Sequence, residues 1–153
     1  MQLKLSSIAL AVAFAFATAA QAQTDRKAHN AEEDRIEAQA KADKAKCDAM
    51  KANAKDICMA EAKGKERVAK AELNAKSEKD QAKAQQKVAE AKAEAAYDVA
   101  AQRCDDQKGE AKDACIKQAK VERDRAKGAA EKRAENKERS AATGQSAPEK
   151  PKR

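Results

Sequence analysis

Cys47-Asp48-Ala49-Met50-Lys51-Ala52-Asn53-Ala54-Lys55-Asp56-Ile57-Cys58 recurs 57 residues later as Cys104-Asp105-Asp106-Gln107-Lys108-Gly109-Glu110-Ala111-Lys112-Asp113-Ala114-Cys115. Both copies read C-D-x-x-K-x-x-A-K-D-x-C, identical at seven of twelve positions. The chain has four cysteines, and these two cassettes hold all of them. In an unbroken helix, residues 11 apart lie about 16.5 Å apart along the axis. A disulfide needs Cα atoms roughly 4.4–6.8 Å apart. Bridging within a cassette therefore requires a chain reversal between its cysteines, and each copy carries a break signal there. Asn53 is a candidate helix N-cap, with Asp56 three positions on resembling a capping box. Gly109 occupies nearly the same place in the second copy, where glycine suits a helix C-cap.

Two connectivities follow. Local pairing, Cys47–Cys58 with Cys104–Cys115, closes each cassette as its own helical hairpin, and the two internal breaks favour it. Crossed pairing, Cys47–Cys115 with Cys58–Cys104, centres both bridges on Gln81 and makes one long antiparallel hairpin. That arrangement resembles the twin-cysteine proteins of the coiled-coil-helix-coiled-coil-helix class. Ser77-Glu78-Lys79-Asp80 offers a capping-box turn near that centre. Zinc would want C-x-x-C spacing or histidine partners, and the single histidine, His29, is far from both cassettes. No metal and no cofactor is expected.

The compartment is read from the N-terminus. Lys4 supplies a positive start, 5–19 is almost wholly apolar, and Ala20-Gln21-Ala22 is a small-x-small cleavage site. Residues 1–22 are thus expected to be a secretory signal peptide cut between Ala22 and Gln23. The apolar run is short for a span of about 20 residues. No cysteine stands where a lipid would be attached. The signal is bacterial in style and implies a periplasmic destination, where cysteines form disulfides.

Composition dictates the rest. The whole chain carries a net charge of +7. Cleavage at Ala22 leaves 131 residues with 32 basic and 26 acidic groups. Phe14 and Phe16 leave with the signal, so Tyr97 becomes the lone aromatic residue. Ten larger apolar side chains remain: Ile36, Met50, Ile57, Met59, Val68, Leu73, Val88, Val99, Ile116 and Val121. Burying each contributes about 1.5–3 kcal/mol, against an ordering cost of about 1–2 kcal/mol for every residue. An ordinary globular core is out of reach. The chain must be extended, stapled or assembled with other copies.

Alanine, lysine, glutamate, glutamine and arginine dominate, and all are strong helix formers. No proline occurs in 31–139, and alternating β-branched or aromatic runs are missing. The expected fold is all-α: long helices in disulfide-stapled αα-hairpins or an extended coiled-coil-like bundle. The expected organisation is a signal at 1–22, a polar lead-in at 23–30, helices over 31–139 and a disordered basic tail at 140–153. Asn30 is the expected first N-cap, followed by Glu32, Glu33 and Asp34 in the first turn. Ile36, Ala40, Cys47, Met50 and Ala54 form a thin apolar stripe. A long helix over 54–107, whose continuity near Ser77 the sequence leaves open, and a last helix over 110–139 complete the expectation.

The cassettes extend to C-x-x-x-x-(G/A)-(N/x)-A-K-D-x-C-x-x-x-A-K, matched from Cys47 to Lys63 and from Cys104 to Lys120. On these residues the chain resembles a family of small exported Ala/Lys-rich helical proteins of proteobacteria, often labelled TolA-like or cell envelope biogenesis. The resemblance implies export and helical structure and supplies no catalytic residues.

A non-enzymatic periplasmic protein of structural, envelope or stress-related role is the leading functional expectation, with an unidentified protein or envelope partner and a possible homo-oligomer. Positive charge and the basic tail Lys150, Lys152 and Arg153 allow weak contact with anionic surfaces, lipopolysaccharide or phospholipid headgroups. Interleaved acids dilute that field, and no helix has the bulky apolar face suited to interfacial insertion. A periplasmic holdase chaperone is a further alternative. Nucleic-acid binding is disfavoured by the export signal and the lack of stacking aromatics. Thiol catalysis is disfavoured because no C-x-x-C spacing lowers a thiol pKa.

Overall fold

The computed structural model describes residues 13–144, with side chains from Thr24 onward. Four helices follow in order: α1 (Ala13–Cys47), α2 (Ala52–Ser77), α3 (Gln81–Cys104) and α4 (Glu110–Thr143). No strand occurs among the described residues. The fold is all-α and disulfide-stapled, with bridges Cys47–Cys58 and Cys104–Cys115. Their Cα atoms lie 5.6 and 5.7 Å apart, within bridging distance. The pairing is local. The crossed alternative does not occur: each break holds its own two cysteines within bridging distance.

The chain divides into two compact units, 1–35 and 36–153, and α1 contributes to both. In the first unit the described residues are helical, and Arg35 pairs with Glu32 at 3.4 Å. Asn30 does not cap a helix there. It lies inside α1, and the polar stretch before it is helical too. The local reason is that 24–30 contains neither proline nor glycine to stop a helix. The cleavage residues Ala22 and Gln23 lie within the backbone of α1. Lys4 and most of the apolar run fall outside the described residues, as does the tail from Gln145. No described helix is long and apolar enough to cross a membrane.

In the second unit each helix runs antiparallel to the next. Glu37 pairs with Lys70 and Lys44 with Glu66, both at 2.6 Å, tying α1 to α2. Across α2 and α3, Arg67 pairs with Asp98 at 2.7 Å and Glu72 with Lys92 at 2.7 Å. Glu94 pairs with Lys127 at 2.8 Å across α3 and α4. The cassette repeat is therefore a repeat of whole hairpins. Glu37–Lys70 in the first and Glu94–Lys127 in the second stand at positions 57 residues apart, as the cysteines do.

The core is made of alanine. Ala40, Ala60, Ala62, Ala82, Ala84, Ala93, Ala119, Ala130 and Ala134 are buried, joined by Cys47, Cys104 and Leu73. Most of the large apolar residues are only half covered, and Met50 and Val121 are exposed. With so little side chain between them, the helices approach closely. At Gly64 an added Cβ would fall 2.9 Å from the Cβ of Ala95. A helix-interior glycine costs about 1 kcal/mol relative to alanine, and here it admits α3.

Three helix boundaries differ from the sequence reading. Ser77 ends α2, with its hydroxyl donating to the Asn74 carbonyl at 3.0 Å. Asp80 caps α3 instead, accepting from Ala82 N and Lys83 N at 3.0 Å each. Asp80 stands directly before α3, where its short carboxylate reaches the free N–H groups two and three positions ahead. The interruption near Ser77 is nevertheless real. At the far end, α4 runs through Ser140 to Thr143, where the tail was expected to begin, and stops at Gly144 in the left-handed conformation, φ 66°. Ala141 and Ala142 extend a helix readily, and the glycine is the first residue that favours ending it.

Replacing Gly64 by leucine should force α2 away from α3. The expected loss is about 1–3 kcal/mol, read as a lower urea midpoint with the native far-UV signal retained before unfolding.

Candidate functional site

Two features stand out from the alanine-lined helices: the paired disulfide turns, and a groove along α2 and α3. In the first turn the backbone leaves α1 at Cys47. Asp48 N donates to Ala45 O at 3.2 Å and Met50 N to Cys47 O at 3.0 Å. In the second, Asp105 N donates to Gln102 O at 3.1 Å and Gln107 N to Cys104 O at 3.0 Å. These are the same cassette positions in both copies. The sulfurs of Cys47 and Cys104 belong to fully buried residues, while Cys58 and Cys115 are half-buried.

The invariant letters of the cassette now have roles. Its second residue pairs with its ninth across the turn: Asp48 with Lys55 at 2.9 Å, Asp105 with Lys112 at 2.8 Å. The hydrogen bond to Asp105 raises the pKa of the Lys112 ammonium, aided by the charges of Asp105 and Asp113. The sixth cassette residue takes positive φ in both copies, 49° at Ala52 and 58° at Gly109. Glycine adopts this geometry freely, whereas alanine is strained there. Gly109 is thus the residue before α4, not the C-cap of the preceding helix. Asn53 is likewise not a cap. It sits inside α2, whose N-cap Lys51 makes no side-chain bond. The reversal is completed one residue earlier than the capping pattern suggested, because the positive φ at Ala52 turns the chain.

Asn53 has a different task. Its Nδ2 donates to the Gln102 carbonyl at the end of α3, at 2.9 Å, and its Oδ1 is buried without a partner. It ties one disulfide turn to the helix that leads into the other. Nothing in the local sequence pointed to this contact, because its partners are 49 residues apart.

The groove lies on α2 and α3, with a volume of about 560 Å³. Its floor is Gly64, Val68, Ala69, Ala95, Ala96, Val99 and Ala100. Charged pairs stand at its two ends. Glu61 pairs with Arg103 at 3.3 Å, and Glu72 with Lys92 at 2.7 Å. The acids are on α2 and the bases on α3. Tyr97 does not join this face. Its ring packs under Arg123 of α4, with the guanidinium carbon 4.6 Å from the ring centroid. Among the described residues no group of three or more His, Cys, Asp or Glu is placed to hold a metal ion.

Ion pairs set the electrostatics. The hydrogen bond from Lys127 lowers the pKa of Glu94, with the charges of Lys127, Arg123 and Arg67 acting in the same direction. The hydrogen bond from Lys44 lowers that of Glu66. Hydrogen bonds from Lys46 and Gln39 lower that of Asp43. Glu78 is lowered by its bond from Lys87. Glu94 raises the Lys127 ammonium in return.

No family model, curated protein or solved structure matches this chain.

Two predictions come from these turns and pairs. Ala52→Gly should raise the unfolding free energy by about 0.5–1 kcal/mol by relieving the positive φ. Gly109→Ala should lower it by about 1–2 kcal/mol, with no steric contribution, since nothing lies within 4 Å of the added Cβ. Denaturant midpoints would show both. The second prediction concerns pH. Carboxylates with lowered pKa stabilise the fold above their unfolded values, and that stability is lost as pH falls through the folded ones. The raised lysines stabilise below their unfolded values and lose this as pH rises through the folded ones. The melting temperature should be level through neutral pH. It should fall as pH drops below about 4.5 and again as pH climbs past about 10.5, the ordinary glutamate and lysine values.

Proposed function

We propose that this chain is an exported helical scaffold of the periplasm, serving a structural, envelope or stress-related role through binding and not catalysis. The observation that carries the reading is the pair of locally closed disulfide turns. Each one holds together a hairpin whose buried side chains are almost all alanine. Such a chain depends on an oxidising compartment for its shape. The small-x-small site before Gln23 supports the same destination, and so does the resemblance to exported Ala/Lys-rich proteins labelled for cell envelope biogenesis.

The commitment of charged side chains supports binding over catalysis. Acids and bases that would be candidates for proton transfer are engaged with one another between helices, as at Glu94–Lys127, Arg67–Asp98 and Lys70–Glu37. Their work is to hold antiparallel helices in register. The lowered carboxylates are lowered by these pairings, the reverse of the raised pKa that a general acid requires.

The test is expression of the full chain in a Gram-negative cell, followed by release of the periplasmic contents. The expected product begins at Gln23 and yields the linked peptides Cys47–Cys58 and Cys104–Cys115 without reductant. Retention in the cytoplasm, or free thiols in the exported protein, would overturn the compartment. A deletion strain should lose resistance to detergent, chelator or osmotic challenge. Survival equal to the parent under all three would remove the envelope role.

A further inference from the structure

The groove on α2 and α3 is not a necessary product of the repeat. Shifted by 57 residues, its floor positions on α2 and α3 fall on α4 and α1. There Arg125 stands for Val68, Gln39 for Ala96 and Asp43 for Ala100. The other four duplicates, Val121, Ala126, Ala38 and Ala42, stay apolar, so three polar side chains interrupt the floor there. Among the described residues, the α2–α3 face keeps a continuous floor of glycine, alanine and valine. Val68 and Val99 lie half-buried in it, and no described residue covers them further.

The ends of the groove specify an occupant. Glu61 and Glu72 place negative charge along the α2 side, and Arg103 and Lys92 place positive charge along the α3 side. All four are substantially exposed, so each has capacity for a second partner. A two-fold axis running along the groove, parallel to the helices, would lay α2 of one copy over α3 of the other without changing its height. Glu72 of each copy then meets Lys92 of its partner, and Glu61 meets Arg103. The acid side of the face is the complement of its own base side under this single operation. Lys65, the remaining charge on the groove, has a flexible stem that can lie on the apolar floor with its ammonium at the rim.

We propose that the α2–α3 groove binds a second copy of this chain, making a two-fold dimer whose centre is a four-helix bundle of two α2 and two α3 helices. Val68 and Val99 from both copies meet at its middle, and small residues around them allow helices to approach closely. A lipid chain or small apolar ligand fits less well. The groove is shallow and alanine-lined, and it would leave such a ligand largely in water. A dimer also answers the shortage of core, because it covers apolar surface that one chain cannot bury alone.

Sedimentation equilibrium of the exported protein, with bridges intact, tests this over a range of concentrations. The expected result is a reversible monomer–dimer equilibrium. Val68→Glu, placing two carboxylates at the dimer centre, should abolish the dimer while the monomer keeps its helical circular dichroism. Glu72→Lys should weaken association about tenfold or more, since like charges would then face each other twice. Adding Lys92→Glu to the same chain should restore association. A monomer at every concentration, or a dimer indifferent to both Val68→Glu and the charge reversal, would overturn the proposal. Recovery of the dimer in the double charge swap separates a broken interface from a broken fold.

Discussion

The short disulfide loop is the constraint on which the rest of this structure depends. A helical hairpin with an alanine interface gains little from burial, because each alanine offers only one methyl group to the core. One buried methyl or methylene contributes about 0.8 kcal/mol. A bridge closing a loop of this length removes about 3 kcal/mol of chain entropy from the unfolded state. Each cassette therefore does for its hairpin what a cluster of leucines does in an ordinary bundle. The bridge also sets register. Once Cys47 is joined to Cys58, Glu37 comes level with Lys70. Once Cys104 is joined to Cys115, Glu94 comes level with Lys127.

Register and close approach reinforce one another. The ion pairs are long side chains reaching across gaps that alanine keeps narrow, and most are at least partly open to water. Exposed pairs of this kind are individually worth about 0–1 kcal/mol. Their number along three antiparallel seams, and not the strength of any one, discourages sliding by a helical turn. Gly64 shows the same economy of space. It opposes the Cβ of Ala95 so closely that α2 and α3 meet almost backbone to backbone. Helices packed this way present a charged surface with little apolar area, and among the described residues the α2–α3 groove departs from it.

How much of this was legible beforehand depends on range. The cassettes and the all-α class are visible because they rest on spacing and propensity within a dozen residues, whereas the local pairing is favoured over the crossed one but decided only by the fold. Near Ser77 the sequence carries a capping signal but leaves open whether the helix breaks, and the fold decides it. The capping residues were read less well. Asn30, Asn53, Ser77 and Gly109 each carry a plausible local signal, yet the chain uses Asp80 as a cap and places Gly109 before a helix. Capping propensity is worth about 1 kcal/mol, and at Asn53 and Gly109 the geometry of a disulfide-closed reversal outweighs it.

The sequence by itself determined the helical class, the stapled turns and the poverty of the core, since these follow from composition and from residues adjacent along the chain. The tertiary structure alone decided which face of α2 meets α3, that Asn53 reaches Gln102, and that acids and bases line opposite sides of one groove. Those outcomes join residues some 20 to 50 positions apart. Alanine-rich helices carry only thin apolar stripes, which mark the side that will be buried weakly. The choice is made only when the bridges and ion pairs bring particular helices together.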